Sequence, residues 1–281
     1  MEQSILSEIS DIFNDVKSLK PLVHHITNYV TANDCANIVL AVGASPVMAD
    51  DPEEVEEVVS LSQALVINLG TLSKRTAESM LRAGKKANEL GIPVILDPVG
   101  AGAISCRNRT AEKIIQNVKL SVIRGNMSEI KAIAGLGSST RGVDASEHDI
   151  NSSNDLRYVK NISESLSEKF GCVIAITGTT DIVSDGRKTV FIRNGDKIFS
   201  SITGAGCMCT SLIGTFCAVC GNYLKAASAG ILTLCLAGEK AIENLMGTEF
   251  GSGSFRTFLI DSVFNLQKKD FTERGKIDVS L

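Results

Sequence analysis

Short apolar runs alternate along the chain with longer segments in which apolar residues recur every three or four positions. Four runs are almost continuously apolar, as strands covered on both faces by helices are. They span residues 64–69, 93–97, 120–124 and 173–177, and helices are predicted after them at 73–90, 110–117, 126–134 and 154–169. This alternation predicts an α/β fold with a mainly parallel central sheet and helices on both faces.

Between residues 181 and 199 the alternation gives way to short β-branched runs separated by turn dipeptides. Asp185-Gly186 and Asn194-Gly195 are typical of hairpin turns, so we expect antiparallel hairpins at a sheet edge. After residue 204 the pattern is almost wholly helical. Residues 135–147 are predicted to form a loop too short for a domain boundary, so we expect residues 1–281 to form a single domain.

The first twenty residues carry an amphipathic helical pattern with acidic residues between the apolar ones. The apolar positions are Ile5, Ile9, Ile12, Phe13 and Val16. A secretory signal needs a basic start and an unbroken apolar run, so we expect a docking helix and a cytoplasmic protein. The apolar stretches at 208–219 and 226–237 are too short and too mixed to span a bilayer.

Composition narrows the function classes. Hydrophobic residues make up 44% and charged residues 21%, and a net charge of −4 without a basic cluster disfavours nucleic acid as a partner. We expect the eight cysteines to be free thiols in a reducing compartment. Cys207, Cys209, Cys217 and Cys220 fall in one apolar helical segment without a knuckle turn, so packed thiols are favoured over zinc.

The segment from Thr203 to Cys207, Thr-Gly-Ala-Gly-Cys, precedes a long apolar run. A Gly-x-Gly turn that opens a helix presents free backbone N–H groups and the positive end of the helix dipole, which favours a phosphate. We therefore expect Gly204 and Gly206 to form an anion cradle. Cys207 would lie in the first helical turn, where the same positive end should raise its thiolate fraction, and it is a candidate base.

Polar or glycine-rich residues follow directly after all four predicted strands, at 70–71, 97–100, 124–126 and 177–178. The carboxyl ends of parallel strands meet at one edge of the sheet, which is where such folds place their ligands. Asp97 and Glu129 would suit a Mg²⁺–nucleotide site, with the metal held through water. The structural alternatives are a turn residue for Asp97 and a capping box with Asn126 for Glu129.

Three further positions have both a structural and a functional interpretation. Arg124 follows an apolar strand, so it pairs with a core carboxylate or reaches a nucleotide phosphate. Thr177 with Gly178 offers donors for the same phosphates, or is a simple strand-ending turn. Asn28 offers neutral hydrogen bonds that suit an uncharged heteroaromatic substrate, and Met48 is most simply a core residue, although its sulfur would also pack on a ring.

Standard nucleotide signatures are absent from the sequence. Neither Gly-x-x-x-x-Gly-Lys-[Ser/Thr] nor a strand-linked Gly-x-Gly-x-x-Gly occurs, which disfavours a P-loop ATPase and a dinucleotide enzyme. His24 and His25 are more simply structural, and no histidine is placed to support a cysteine hydrolase.

Taken together, these motifs resemble the hydroxyethylthiazole kinase family of the ribokinase-like superfamily. The matching segments are 21–33, 43–48, 68–72, 96–102, 122–130, 203–207 and 251–255. The resemblance implies a three-layer ribokinase-like fold and ATP- and Mg²⁺-dependent phosphorylation of the hydroxyl of 4-methyl-5-(2-hydroxyethyl)thiazole, which gives the thiazole phosphate of thiamine biosynthesis and salvage. It also implies a homotrimer with active sites at the subunit interfaces.

The resemblance also implies roles for individual residues. The substrate contacts would be Met48, Asn28 and Gly204, the ATP contacts Arg124 and Thr177, the Mg²⁺ environment Asp97 and Glu129, and the catalytic group Cys207 with Gly204 and Gly206. Cys207 stands where the superfamily normally has an aspartate base. The chain departs from the family pattern at Ser252, which is commonly proline and touches no proposed catalytic role. It also departs at Cys209, commonly a non-cysteine residue, whose thiol would be able to interfere with that of Cys207 under oxidation.

Two alternatives stay open at this point. The substrate of the same fold could be another small alcohol such as hydroxymethylpyrimidine, pyridoxal or a sugar. The chain could also be a non-catalytic regulator that binds the thiazole or a nucleotide, although Asp97, Glu129, Arg124 and Cys207 together disfavour a dead enzyme.

Overall fold

A central sheet of nine strands organises residues 2–136 and 153–281, which the computed structural model describes. The strands are β1 (Leu22–Ile26), β2 (Ser45–Met48), β3 (Ala64–Asn68), β4 (Val94–Asp97), β5 (Val122–Asn126), β6 (Val173–Thr177), β7 (Asp181–Ser184), β8 (Thr189–Ile192) and β9 (Ile277–Ser280). Their spatial order is β2-β1-β3-β4-β5-β6-β7-β8-β9. The first six pair in parallel and the last three are added antiparallel, so the sheet is mainly parallel as predicted.

Helices cover both faces of this sheet. They are α1 (Glu2–Leu19), α2 (Ala32–Val42), α3 (Val55–Leu61), α4 (Lys74–Leu90), α5 (Ser105–Asn117), α6 (Met127–Ala134), α7 (Ser153–Phe170), α8 (Ala205–Cys217), α9 (Tyr223–Leu245), α10 (Ser252–Asn265) and α11 (Lys268–Arg274). Successive strand residues point to opposite faces. Accordingly Val66 and Ile95 pack in the apolar layer with α8 and α9, whereas Leu65 and Leu96 pack with α4 to α7. Two apolar layers on one sheet confirm the three-layer α/β prediction.

The four predicted strands and four predicted helices are all present, with small shifts at their ends. The main shift is at α5, which begins at Ser105 rather than at residue 110. The amphipathic N-terminal pattern forms α1, whose buried face includes Ile9, Ile12, Phe13 and Val16. The predicted loop at 135–147 lies mostly outside the described residues.

The second predicted hairpin is wrong. After Asn194 and Gly195 the chain enters a short 3₁₀ helix at Lys197–Ser201, and β8 instead pairs with the C-terminal β9. A turn dipeptide specifies local backbone geometry but not which distant strand covers the open edge. After residue 204 the chain is almost wholly helical, as predicted, with β9 as the exception. Helix α8 ends at Cys217, so Cys220 is not on the helix that carries Cys207.

Strands β1 and β2 are two elements that the apolar pattern did not reveal. β1 contains His24 and His25, both buried and each bonded to a backbone carbonyl, of Ala49 and Val23 respectively. Burial lowers the pKa of both imidazoles, and of His25 to about 4. Both histidines are thus neutral and structural, as the simpler interpretation predicted. Among the described helices, none is long and apolar enough to cross a membrane.

Candidate active site

Two adjoining cavities lie at the carboxyl ends of the parallel strands, next to the N-terminus of α8. The first, of about 410 Å³, is lined by residues that include Asn28, Thr31, Asp97, Glu129 and Cys207. The second, of about 500 Å³, is lined by residues that include Thr177, Gly178, Asp181, Lys197 and Leu234. The two cavities share Arg124, Phe199, Ser200, Ala205 and Gly206 in their linings. The carboxyl ends of the strands thus meet at one edge of the sheet, as the polar residues after each strand predicted.

The helix that opens beside both cavities begins with two glycines in tight surroundings. Gly204 is the N-cap of α8 and has φ +85°, a left-handed conformation in which a side chain is strained. A Cβ there would also lie 2.8 Å from Thr31 Cγ2. At Gly206 a Cβ would lie 2.5 Å from Arg124 Nη1, so the absence of a side chain lets the guanidinium reach the helix backbone.

Asp97 is the central buried carboxylate, with no exposed surface. Its Oδ2 accepts hydrogen bonds from Asn68 Nδ2 and Thr210 Oγ1, each at 2.9 Å, and lies 3.9 Å from Arg124 Nη1. Burial raises the pKa of Asp97, while the Arg124 charge opposes that rise. Within the described residues Oδ1 has no hydrogen-bond partner, although it is buried.

Glu129 forms the capping box that the sequence predicted. Its Oε2 accepts from the backbone N–H of Asn126, and Asn126 Oδ1 accepts from the N–H of Glu129, both at 2.9 Å. The second carboxylate oxygen accepts from the N–H of Gly100 at 2.9 Å, which ties the loop after β4 to α6. Burial and the neighbouring Asp97 raise the pKa of Glu129 to about 7. The structural role is confirmed, and the metal role stays a prediction.

Arg124 lies between the two cavities, and its side chain is only 11% exposed. Nη2 donates a hydrogen bond to the hydroxyl of Thr177, which follows from the pairing of β5 with β6. The pairing with a core carboxylate is therefore observed, in the form of Asp97. Because the guanidinium also borders both cavities, it can still reach a phosphate from this position.

Cys207 is nearly buried, with 8% of its surface exposed. Its Sγ accepts hydrogen bonds from Asn68 Nδ2 at 3.2 Å and from Asn28 Nδ2 at 3.5 Å. Burial, followed by the negative charge of Asp97, raises the pKa of the thiol. The expected rise in the thiolate fraction is therefore wrong, because burial and the Asp97 charge shift the thiol pKa upward.

Asn28 and Met48, which the family resemblance places at the substrate, lie in different environments: Asn28 lines the first cavity and Met48 does not. Asn28 is buried, and its amide oxygen accepts from the N–H of Thr31 at 3.1 Å. Met48 is 38% exposed at the end of the edge strand β2 and does not line the first cavity. The interpretation of Met48 as a core residue is wrong, because an edge strand has no neighbour to cover its end.

Four residues of this site were not singled out from the sequence: Asn68, Thr210, Arg107 and Asp181. Asn68 is the polar last residue of an otherwise apolar strand, and this position could have identified it from the sequence as a site residue. Thr210 is hidden in the apolar run of α8 and becomes relevant only because its hydroxyl meets Asp97. Asp181 lies at the start of β7, where it accepts from the N–H of Gly178 at 3.0 Å.

The residues of the described chain hold no cluster of three or more histidine, cysteine or acidic side chains that would bind a metal by itself. Mg²⁺ fits these residues, since it keeps several waters and completes its shell with phosphate oxygens. The unpartnered Asp97 Oδ1 is an oxygen ligand of the required kind.

Comparison with known proteins places the chain in a family. The model of the hydroxyethylthiazole kinase family matches residues 13–269. The hydroxyethylthiazole kinase of Alkaliphilus oremlandii is 54% identical over 97% of this chain and 98% of its own, and that of Clostridium beijerinckii is 50% identical over 99% of both. The hydroxyethylthiazole kinase structure from Pyrococcus horikoshii superposes with a TM-score of 0.87, at 36% identity over 98% of this chain and 99% of that one. The chain therefore belongs to the hydroxyethylthiazole kinase family, and its fold is ribokinase-like.

Proposed function

We propose that this protein transfers the γ-phosphoryl group of ATP to the hydroxyl of 4-methyl-5-(2-hydroxyethyl)thiazole, which gives the thiazole phosphate used in thiamine biosynthesis and salvage. The observation that carries the proposal is the meeting of Cys207, the Asp97–Arg124 pair and the α8 N-terminus at one cavity of a chain in this family. Relatives about half identical over nearly the whole chain are named for this kinase activity.

The two cavities divide the substrates. The first, with the side-chain amide of Asn28 and the sulfur of Cys207 in its wall, has the neutral donors and acceptors that an uncharged heteroaromatic alcohol needs. The second offers apolar surface from Ile231 and Leu234 for a base and the hydroxyl of Thr177 for phosphates. Arg124 and Gly206 lie in both linings, so the phosphoryl group passes at their boundary.

Mg²⁺ is the proposed metal, held by Asp97 and Glu129 chiefly through water. When bound, it neutralises charge on the transferring phosphates. The protein's own contribution is to keep both carboxylates fixed, Asp97 by Asn68 and Thr210 and Glu129 by the N–H groups of Gly100 and Asn126.

Cys207 orients the substrate hydroxyl and accepts its proton late in the transfer. The hydroxyl oxygen bonds to the γ-phosphorus while the bond to the bridging oxygen of ADP breaks, and the hydroxyl proton passes to the thiolate form of Cys207, which becomes the thiol. A weakly ionised base suffices, because phosphoryl transfer depends mostly on positioning and charge neutralisation. Arg124 offsets the negative charge at the boundary of the two cavities.

The proposed assembly is a homotrimer with active sites at the subunit interfaces, built from single-domain subunits of residues 1–281 in the cytoplasm. Exposed apolar side chains near the first cavity support a covering partner, since Tyr29 and Val30 are both more than half exposed and Met48 is 38% exposed. Met48 would then reach substrate from a neighbouring subunit. Sedimentation equilibrium tests the assembly, and a monomer would contradict it.

The test of the function is ADP release from Mg-ATP with hydroxyethylthiazole, hydroxymethylpyrimidine, pyridoxal and ribose offered in parallel. Release stimulated by the thiazole alone supports the proposal. Stimulation by another alcohol would keep the nucleotide site but overturn the substrate. No stimulation by any of them would point to a binding protein, and ATP titration with and without Mg²⁺ would then identify a regulator that does not require the metal.

A further inference from the structure

We propose that Asn68 is a positioning residue whose side-chain amide holds the sulfur of Cys207 as a hydrogen-bond acceptor at the first cavity. This inference rests on the proposed function, in which that sulfur receives the substrate proton. It assigns a role to a buried amide that the resemblance to known kinases leaves without one.

The backbone places Asn68 where it can act on both neighbours. Asn68 is the last residue of β3 and pairs with Asp97, the last residue of β4. The two-residue period of the strands puts both side chains on the face that carries Val66 and Ile95, which is the face that α8 covers. Cys207, in the first turn of α8, therefore lies over the Asn68 amide.

Hydrogen bonds determine which way the Asn68 amide points. Its oxygen accepts from the N–H of Gly70 at 2.9 Å and from Asn28 Nδ2 at 3.0 Å. The nitrogen then faces Asp97 Oδ2 at 2.9 Å and Cys207 Sγ at 3.2 Å. The reverse orientation would set the amide oxygen against the Asp97 carboxylate and the amide nitrogen against the N–H of Gly70, so the bonds to both would be lost.

Asn28 supplies a second oriented donor to the same sulfur, at 3.5 Å. Its amide is fixed in turn, because its oxygen accepts from the N–H of Thr31. Two N–H donors stabilise the thiolate form of Cys207. Its remaining lone pair is then available to accept a hydrogen bond from the substrate hydroxyl.

Charged groups and neighbouring thiols influence whether the sulfur of Cys207 is protonated, and the two amides act against those that favour protonation. Asp97 on β4 disfavours a negative sulfur and Arg124 on β5 favours it, while the thiols of Cys35 on α2 and Cys209 on α8 are close enough to interact with it electrostatically. Burial acts in the same direction as Asp97. Hydrogen bonds from the side chains of Thr31 and Asn68 act against these two effects, which keep the sulfur protonated.

The first test measures Cys207 directly and needs no turnover. The intact protein without substrates is treated with methyl methanethiosulfonate across pH 7 to 10, and modification of the Cys207 peptide is followed by mass spectrometry. Asn68→Asp is nearly isosteric but turns the donor into a carboxylate, so modification should slow about tenfold or more at pH 8. The exposed Cys106 serves as an internal reference in every sample.

The result that overturns the inference is an unchanged pH profile of Cys207 modification in Asn68→Asp. If that variant does not fold, Asn28→Ala removes the second N–H donor, and a fewfold slowing is expected by the same reasoning. An unchanged Cys207 profile in a folded Asn28→Ala would equally contradict the role of the amides. Because the assay contains no ATP or alcohol, its outcome is independent of the proposed kinase reaction.

A double-mutant cycle tests whether Asn68 acts on the reaction through the sulfur of Cys207 or through the carboxylate of Asp97. Asn68→Ala should lower kcat about tenfold with little change in the KM for the alcohol. In a Cys207→Ala background the same change should cost less than about twofold, because the sulfur it acts on is gone. A full tenfold cost in that background would mean that Asn68 acts through Asp97, and the proposal would fail.

Discussion

The guanidinium of Arg124 lies against the backbone of Gly206, so closely that a Cβ at residue 206 would be 2.5 Å from Nη1. This contact joins β5 to the first turn of α8 and forms the boundary between the two cavities. It makes the second glycine of the Gly-x-Gly turn a requirement of the arginine's position, in addition to any role in admitting phosphate.

Gly206→Ala should therefore displace Arg124 and raise the KM for ATP, with a loss in kcat/KM of about tenfold or more. The measurement is steady-state kinetics with ATP varied at saturating thiazole. Gly253→Ala is the matched control, because Gly253 is likewise the second residue of a helix and a Cβ there would meet nothing within 4 Å. Equal kinetics in the two variants would contradict the proposed contact of Arg124 with ATP.

Cys207→Ala should lower kcat by about a hundredfold, the low end for a general base, because the thiol is weakly ionised at neutral pH. Cys207→Asp should retain or increase turnover, since a carboxylate is the more readily ionised base. Single-turnover rates at saturating ATP and thiazole measure both. Wild-type turnover in Cys207→Ala would show that the sulfur is not the base.

Glu129→Gln should raise the Mg²⁺ concentration needed for half-maximal activity. The pKa of Glu129 is raised to about 7, so the carboxyl loses its charge as the pH falls below that value. In the wild type the half-saturating Mg²⁺ concentration should therefore increase as the pH is lowered from 8 to 6. In Glu129→Gln it should change much less with pH. Glu112→Gln on the exposed side of α5 is the control, and an identical metal titration in both variants would exclude Glu129 from the metal site.

Asp181 should make the protein less stable as the pH rises from about 4 to 6. Burial raises the pKa of Asp181 to about 6, so the folded state keeps a proton that the unfolded state loses near 3.8. Between those values the native state binds more protons, and stability falls with rising pH, by an amount on the order of 3 kcal/mol. Urea unfolding of wild type and Asp181→Asn at pH 4, 5 and 6.5 measures the difference. A constant difference across that range would be inconsistent with a proton held on Asp181.

Much of the fold was predictable because local patterns coincide with it. The runs at β3, β4, β5 and β6 are apolar because both faces are covered, and that burial is visible in the sequence. β1 and β2 were missed because histidines in one and the exposed end of an edge strand in the other break the apolar pattern. The pairing of β8 with β9 joins residues nearly ninety positions apart, and a turn signal carries no information about such a partner.

The site divides in the same way. By itself the sequence determined which residue types follow the strands, where α8 begins and why glycine opens it, because these depend on neighbours a few residues apart. Only the tertiary structure decided that Asn68, Asp97 and Thr210 form one buried network under Cys207, and that Arg124 rests on Gly206. It also reversed the expected shift in the pKa of Cys207. That shift is set by burial and by a carboxylate more than a hundred residues away in sequence, and these are long-range terms that no local pattern contains.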